Sequence, residues 1–256
     1  MANDARVLAR APSGGVRLRA AVNRGIFRGM VFSMGATAIA LARAGVPKRI
    51  VWSFAEAQAR NLCRMVGVRV TVRGAELVSS GGPFIFTPNH QSHFDIAALL
   101  GYLPGHNRFA SKKELFREPV LGAVMRTLGM LPVDREDPGR SIGVLNEALE
   151  EGGSVVIFPE GTRGPESGLL PFKKGAFVAA IQTGHPVVPV ILKGTRAVMP
   201  KGDYLSIYPG QVEIVVKPPI PTTGLDYEDR ERLRRAVETI VAEELARPMG
   251  DTGAAD

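Results

Sequence analysis

The sequence predicts an α/β fold, a central and mostly parallel sheet flanked by helices, with an N-terminal two-helix arm suited to a membrane interface. Three observations predict it. From residue 69 onward, short β-branched runs alternate with longer helical stretches. The runs at 83–89, 154–161 and 186–192 are apolar rather than alternating, as expected of strands covered on both faces. Ahead of them, two apolar segments carry basic flanks and lack the strand pattern altogether.

In the arm, Met30 to Ala42 (MVFSMGATAIALA) is apolar between Arg28 and Arg43. Thirteen helical residues reach about 20 Å, short of the roughly 30 Å hydrocarbon core, so a spanning helix is not expected. The run starts late and leads to no small-residue cleavage site, which speaks against a signal peptide. Pro47 breaks the chain, and a second helix is expected over 49–66, with Val51, Phe54, Ala55, Leu62, Met65 and Val66 on one face. The one plausible boundary lies near residue 67, giving an arm (1–66), a body (67–248) and a disordered tail (249–256).

In the body, strands are expected at 69–74, 83–89, 154–161 and 186–192, and a hairpin over 205–216 turning at Pro209-Gly210. Helices are expected at 92–100, 113–128, 140–150, 175–183 and 226–247.

Composition narrows the class of function. The 256 residues carry a net charge of +7. Residues 1–60 hold ten Lys or Arg (from Arg6 and Arg10 to Arg60) against Asp4 and Glu56, while the rest hold 22 basic and 23 acidic residues. The positive charge therefore belongs to the arm, and the implied partner is an anionic membrane surface. No zinc finger, RNA-binding signature or aromatic-interleaved basic patch accompanies it, which weighs against nucleic acid. The single Cys63 excludes an internal disulfide and fits a reducing compartment.

Three segments carry chemistry. In TPNHQSHFDIAALL (87–100) a strand ends at Asn89, His90 lies in the turn, and a helix starts near Ser92. Asp95 is three residues beyond Ser92, a capping-box position from which a carboxylate points back to the turn. There it can cap the helix, orient the imidazole of His90, or do both. His93 lies nearby, but no further His or Cys completes a metal-ligand spacing, so no metal is expected. In GMLPVDR (129–135), Arg135 follows a strand-like run and has the fork for a phosphate, although a surface ion pair explains such a residue equally well. In VVIFPEGTRG (155–164), a strand runs into Glu160, Gly161, Thr162 and Arg163: a carboxylate, a flexible backbone, a hydroxyl and a cation at a strand end. FKKGA (172–176) adds Lys173 and Lys174.

Together these segments resemble the glycerolipid acyltransferase family, the 1-acylglycerol-3-phosphate acyltransferases and their relatives. NHQSHFD, GMLPVDR, FPEGTR and VVPVI around Pro189 match the family's four blocks in order, over roughly residues 69–220. The resemblance implies that His90 is the catalytic base and Asp95 its partner. It places Arg135, Glu160, Gly161, Thr162 and Arg163 at the acceptor, with Lys113 of SKKELF as a further candidate for the acceptor phosphate. It implies acyl transfer from acyl-CoA or acyl carrier protein to lysophosphatidic acid, without a cofactor, at the cytoplasmic face of a membrane. Three rivals stand beside it: the same chemistry on another lysolipid such as a lyso-ornithine lipid, a His-based metal hydrolase, and a non-catalytic lipid-binding protein.

Overall fold

A computed structural model describes residues 14–165, 168–202 and 206–251. Seven strands form one sheet in the order β1-β7-β6-β2-β5-β3-β4. They are β1 (Val68–Arg73), β2 (Ile85–Pro88), β3 (Asn107–Lys112), β4 (Leu131–Val133), β5 (Ser154–Val156), β6 (Val187–Lys193) and β7 (Gly210–Val216). Every pairing is parallel except β6 with β7. Five adjacent strands, from β6 to β4, thus point the same way, and their C-terminal ends form one rim.

Helices cover both faces. On one side lie α1 (Gly14–Arg43), α2 (Lys48–Met65) and α3 (Phe94–Tyr102), burying Trp52, Leu62, Phe94 and Leu99 against Phe86, Val188 and Val190. On the other lie α5 (Pro138–Glu150), α6 (Gly175–Thr183) and α8 (Arg230–Ala246), where Leu145, Phe177 and Val237 pack on Ile85, Val155 and Ile191. Every residue of β2, β5 and β6 is buried, which is the reason their sequences are largely apolar and do not alternate. Short α4 (Pro119–Thr127) and α7 (Thr195–Val198) complete the set.

The arm differs from its expected form. In place of a short helix over 30–42, α1 runs for 30 residues, about 45 Å, long enough to cross a membrane by length and composition. The basic residues upstream of Met30 interrupt the apolar run but not the helix. Asn23, buried, donates to the carbonyls of Val66 and Ile207 at 2.9 and 3.0 Å, and Gly35 lies against Val124 of α4. The helix is therefore tied to the body at points along its length, and α2 shares the core of β1, β2 and α3. Arg6 and Arg10 lie outside the described residues, as do positions 252–256 of the expected tail.

Other expectations are also corrected. No hairpin forms over 205–216. Only β7 is a strand there, because β1 and β6 occupy both its edges, while Tyr208 N donates to Val198 O at 2.8 Å instead. Leu205 lies outside the described residues. β3 had no sequence signal, since NRFASK is largely polar; its place between β5 and β4 makes it a strand. The single helix expected over 113–128 is a 3₁₀ turn, Lys113–Arg117, followed by α4. Pro119 separates them because a proline lacks the N–H to continue a helix and fits its first turn.

Candidate active site

The rim of the five parallel strands collects the residues singled out by sequence. His90 follows β2, Lys113 follows β3, Arg135 follows β4, and Glu160 to Arg163 follow β5. The crevice outside the carboxyl ends of parallel strands is where open α/β sheets bind ligands.

His90 and Asp95 form the centre. The Nδ1 of His90 lies 2.7 Å from Oδ2 of Asp95. The same oxygen accepts from the backbone N–H groups of Gln91 and Ser92 at 2.7 and 2.9 Å. Asp95 is fully buried, so these donors replace the water that Oδ2 has lost, while Oδ1 has no hydrogen-bond partner among the described residues. The expected N-cap at Ser92 shifts by one residue: α3 starts at Phe94 with His93 at the cap position, and the Ser92 hydroxyl accepts from Phe94 N at 3.2 Å and donates to Met199 O at 2.8 Å, while the Asp95 carboxylate accepts the reciprocal bond from Ser92 N. Asp95 thus caps the turn and holds the imidazole with one atom. With Nδ1–H directed at Asp95, Nε2 is the nitrogen left to accept a proton. The ring is also stacked on Phe158 at 4.1 Å, a contact that sequence reasoning passed over. Phe158 directly precedes Pro159 at the strand end, which was its one signal.

Glu160 faces inward rather than toward a ligand. It is 2% exposed; Oε1 accepts from His90 N at 2.7 Å and Oε2 from Leu170 N at 2.9 Å. Burial pushes its carboxyl above the usual range, and the two backbone donors work against that rise. Gly164 N donates to His90 O at 2.8 Å, so the third block grips the His90 turn from two sides. A Cβ on Gly164 would stand 2.7 Å from Oε2 of Glu160, so glycine is required for that approach.

The remaining cations divide. Lys113 is held by Asp134 at 2.7 Å and Glu136 at 3.3 Å, which raises its pKa through those carboxylate bonds. Arg135 is exposed, and Nη2 donates to Gly161 O at 2.9 Å. Thr162 is exposed beside it, whereas Arg163 is 9% exposed and its charge acts on His93. Burial foremost, then Arg163 and His90, hold the His93 imidazole below its ordinary pKa. Two further cations support this loop from the segment after β6: Arg196 donates to Gly164 O at 3.3 Å and Lys201 to Arg163 O at 3.1 Å. Their distance in sequence kept them out of the motif-based reading.

With this geometry in place, comparison with known proteins is direct. A family model described as Acyltransferase matches residues 69–193. The 1-acyl-sn-glycerol-3-phosphate acyltransferase BAT2 of Brassica napus is 41% identical over 156 residues, 59% of this chain and 45% of that one. The chain belongs to the glycerolipid acyltransferase family. The human 1-acyl-sn-glycerol-3-phosphate acyltransferase alpha is 33% identical over 187 residues, 70% of this chain and 66% of its own. The crystal structure of the 1-acyl-sn-glycerophosphate (LPA) acyltransferase PlsC from Thermotoga maritima matches with a TM-score of 0.76 and 28% identity, covering 91% of this chain and 97% of that chain. The chain spans about half the length of the plant relatives and about two thirds of the mammalian ones. Among its described residues no cluster of three or more His, Cys, Asp or Glu is placed to hold a metal ion. Cys63 is buried in α2, away from the rim, and burial pushes its thiol up to about 12, so it is no nucleophile.

Proposed function

We propose that the chain moves a fatty acyl group from acyl-CoA or acyl carrier protein to the sn-2 hydroxyl of lysophosphatidic acid, giving phosphatidic acid. The observation that carries the reading is the 2.7 Å pair of His90 with buried Asp95 at the rim, beside an exposed Arg135 and the loop of the third block. The relatives named for 1-acyl-sn-glycerol-3-phosphate support the choice of acceptor.

Nε2 of His90 takes the proton from the acceptor hydroxyl as its oxygen attacks the thioester carbonyl. Asp95 stabilises the imidazolium that results. Collapse of the tetrahedral intermediate breaks the C–S bond, and the departing thiolate receives the proton from His90. General-base help of this kind contributes about 10²–10⁴ in rate. The thioester is already electrophilic, so the scheme needs neither an enzyme-bound acyl group nor a cofactor. Arg135, with the loop of Gly161, Thr162 and Arg163, holds the acceptor phosphate and so positions the hydroxyl. Glu160 acts through His90, whose turn it fixes. Lys113, already paired with two carboxylates, contributes less than the sequence reading assigned to it.

The enzyme works at a membrane surface, with α1 lying in the interface and presenting Leu18, Val22, Val31 and Phe32, all exposed. The lone Cys63 favours the cytoplasmic face. The deciding experiment assays phosphatidic acid formation by wild type and His90→Ala, with both donor types and a panel of lysolipid acceptors. Loss of turnover by about 10²-fold or more is expected in the variant. Near-wild-type turnover would sink the mechanism. Equal or better use of a lyso-ornithine lipid would transfer the same chemistry to that acceptor.

A further inference from the structure

Lys173 lies outside the four blocks, yet its backbone N–H donates to Pro159 O at 2.8 Å, which sets it against the third block. Its ammonium group faces the same point as Arg135. A Cβ built on Gly161 would stand 3.1 Å from Nζ of Lys173 and 2.8 Å from Nη2 of Arg135. The two cationic groups are therefore no more than about 6 Å apart, a spacing that one anion bonded to both would bridge. Gly161 also has φ +68°, so a side chain there would be strained as well as occupying the gap.

The charges around this point are uncompensated. Among the described residues no carboxylate pairs with Lys173, Arg135 or Lys112, whereas neighbouring Lys113 holds Asp134 and Glu136. All three unpaired cations are exposed and accessible to a ligand. Burial of part of the side chain foremost, then the like charges of Arg135 and Lys112, lower the Lys173 pKa. The gap sits on a loop whose flanking residues, Glu160 and Gly164, both bond the backbone of His90.

We propose that Lys173 and Arg135 form the two jaws of a phosphate-monoester site across Gly161, with Lys112 beside them, and that Lys173 sets the preference for a phosphomonoester acceptor over a zwitterionic phosphodiester lysolipid. A monoester near neutral pH carries a charge of about −1.5 to −2, which two to three unpaired cations match. A phosphodiester carries one negative charge, offset by its own cationic headgroup, and gains less from them. This inference rests on the lysophosphatidic acid reading above and adds the residue that enforces it.

The test uses the full-length protein with Lys173→Met, which keeps length without charge, and Lys173→Arg, which keeps charge. Kinetics on lysophosphatidic acid and lysophosphatidylcholine are combined with calorimetric binding of inorganic phosphate, which needs no turnover. In Lys173→Met the KM for lysophosphatidic acid and the phosphate Kd rise by about tenfold or more, while kcat changes by less than about threefold. Lys173→Arg restores most of both, and any turnover of lysophosphatidylcholine falls by less than that of lysophosphatidic acid in Lys173→Met. Unchanged KM and unchanged phosphate binding in Lys173→Met overturn the proposal, as does a fall in kcat that Lys173→Arg fails to rescue. A wild-type protein that binds phosphate through Lys173 but does not acylate lysophosphatidic acid refutes the proposed reaction and leaves this site standing.

Discussion

Substituting Asp95 by Asn separates its two roles. The amide oxygen of Asn can occupy the place of Oδ2 and still accept from Gln91 N and Ser92 N, at 2.7 and 2.9 Å in the wild type, so the start of α3 survives. What disappears is the negative charge 2.7 Å from Nδ1 of His90. Opposite unit charges centred about 4 Å apart interact by ~4 kcal/mol at an effective dielectric of about 20. That charge is fully expressed only when the imidazolium forms, so the loss falls on the transition state and corresponds to roughly 10³-fold in kcat. The acceptor KM is expected to stay within about threefold, because Asp95 is buried and touches no part of the phosphate site. The assay is phosphatidic acid formation under saturating donor, with thermal unfolding measured alongside. A kcat within about tenfold of wild type, in a protein of unchanged stability, would falsify the assignment of Asp95 as the electrostatic partner of His90.

Two further predictions concern the frame. Glu244 of α8 is 1% exposed and bonds Arg73, Lys193 and Lys217 at 2.6, 3.1 and 2.5 Å. Burial alone would raise its pKa, but these three cations bring it down to about 2. Because the folded value lies below the unfolded value of about 4.3, the stabilisation is present above that pH and is lost as the pH falls toward 2. Glu244→Gln is expected to lose ~3–5 kcal/mol at pH 7 and to show a flatter decline between about pH 4.5 and 2; an unchanged urea midpoint at pH 7 would refute it. At the membrane, Val31 and Phe32 are 40% and 71% exposed, so Val31→Ser with Phe32→Ser removes apolar surface without touching the core. Sedimentation with anionic phospholipid vesicles should weaken by about tenfold or more, from the ~1.5–3 kcal/mol of each large apolar side chain, and identical binding would show that this face of α1 does not enter the lipid.

Much of the fold was readable because burial on both faces imposes a local signature. β2, β5 and β6 are buried throughout and largely apolar, with Thr87, Ser154 and Lys193 as their polar members, and they stand where the apolar runs lie. β3 was not readable, since its polar NRFASK becomes a strand only through neighbours supplied by β5 and β4. The false hairpin has the same origin in reverse. The Pro209-Gly210 turn has the right chemistry, but the edges of β7 are taken by β1, more than a hundred residues upstream, and by β6. In the arm, the arginines before Met30 obscured a helix that stays continuous, with Ala20, Asn23, Gly35 and Ala38 buried along it.

At the site, the parts whose chemistry is local were legible along the chain. Asp95 is five residues from His90, within one turn of chain and helix, so their pairing follows from spacing and capping alone. The block order placed Arg135 and the loop of Gly161 as candidates, and the four-block pattern carried the family. The direction in which each charge points came from the fold. Glu160 had the composition of a ligand group, but its loop turns it inward, where two backbone N–H groups replace water around its buried oxygens. Lys112 and Lys113 are adjacent and chemically identical, yet Asp134 and Glu136 reach one and leave the other open. Such choices depend on charges brought together by parallel strands distant in sequence, and a sequence read along its length does not contain those distances.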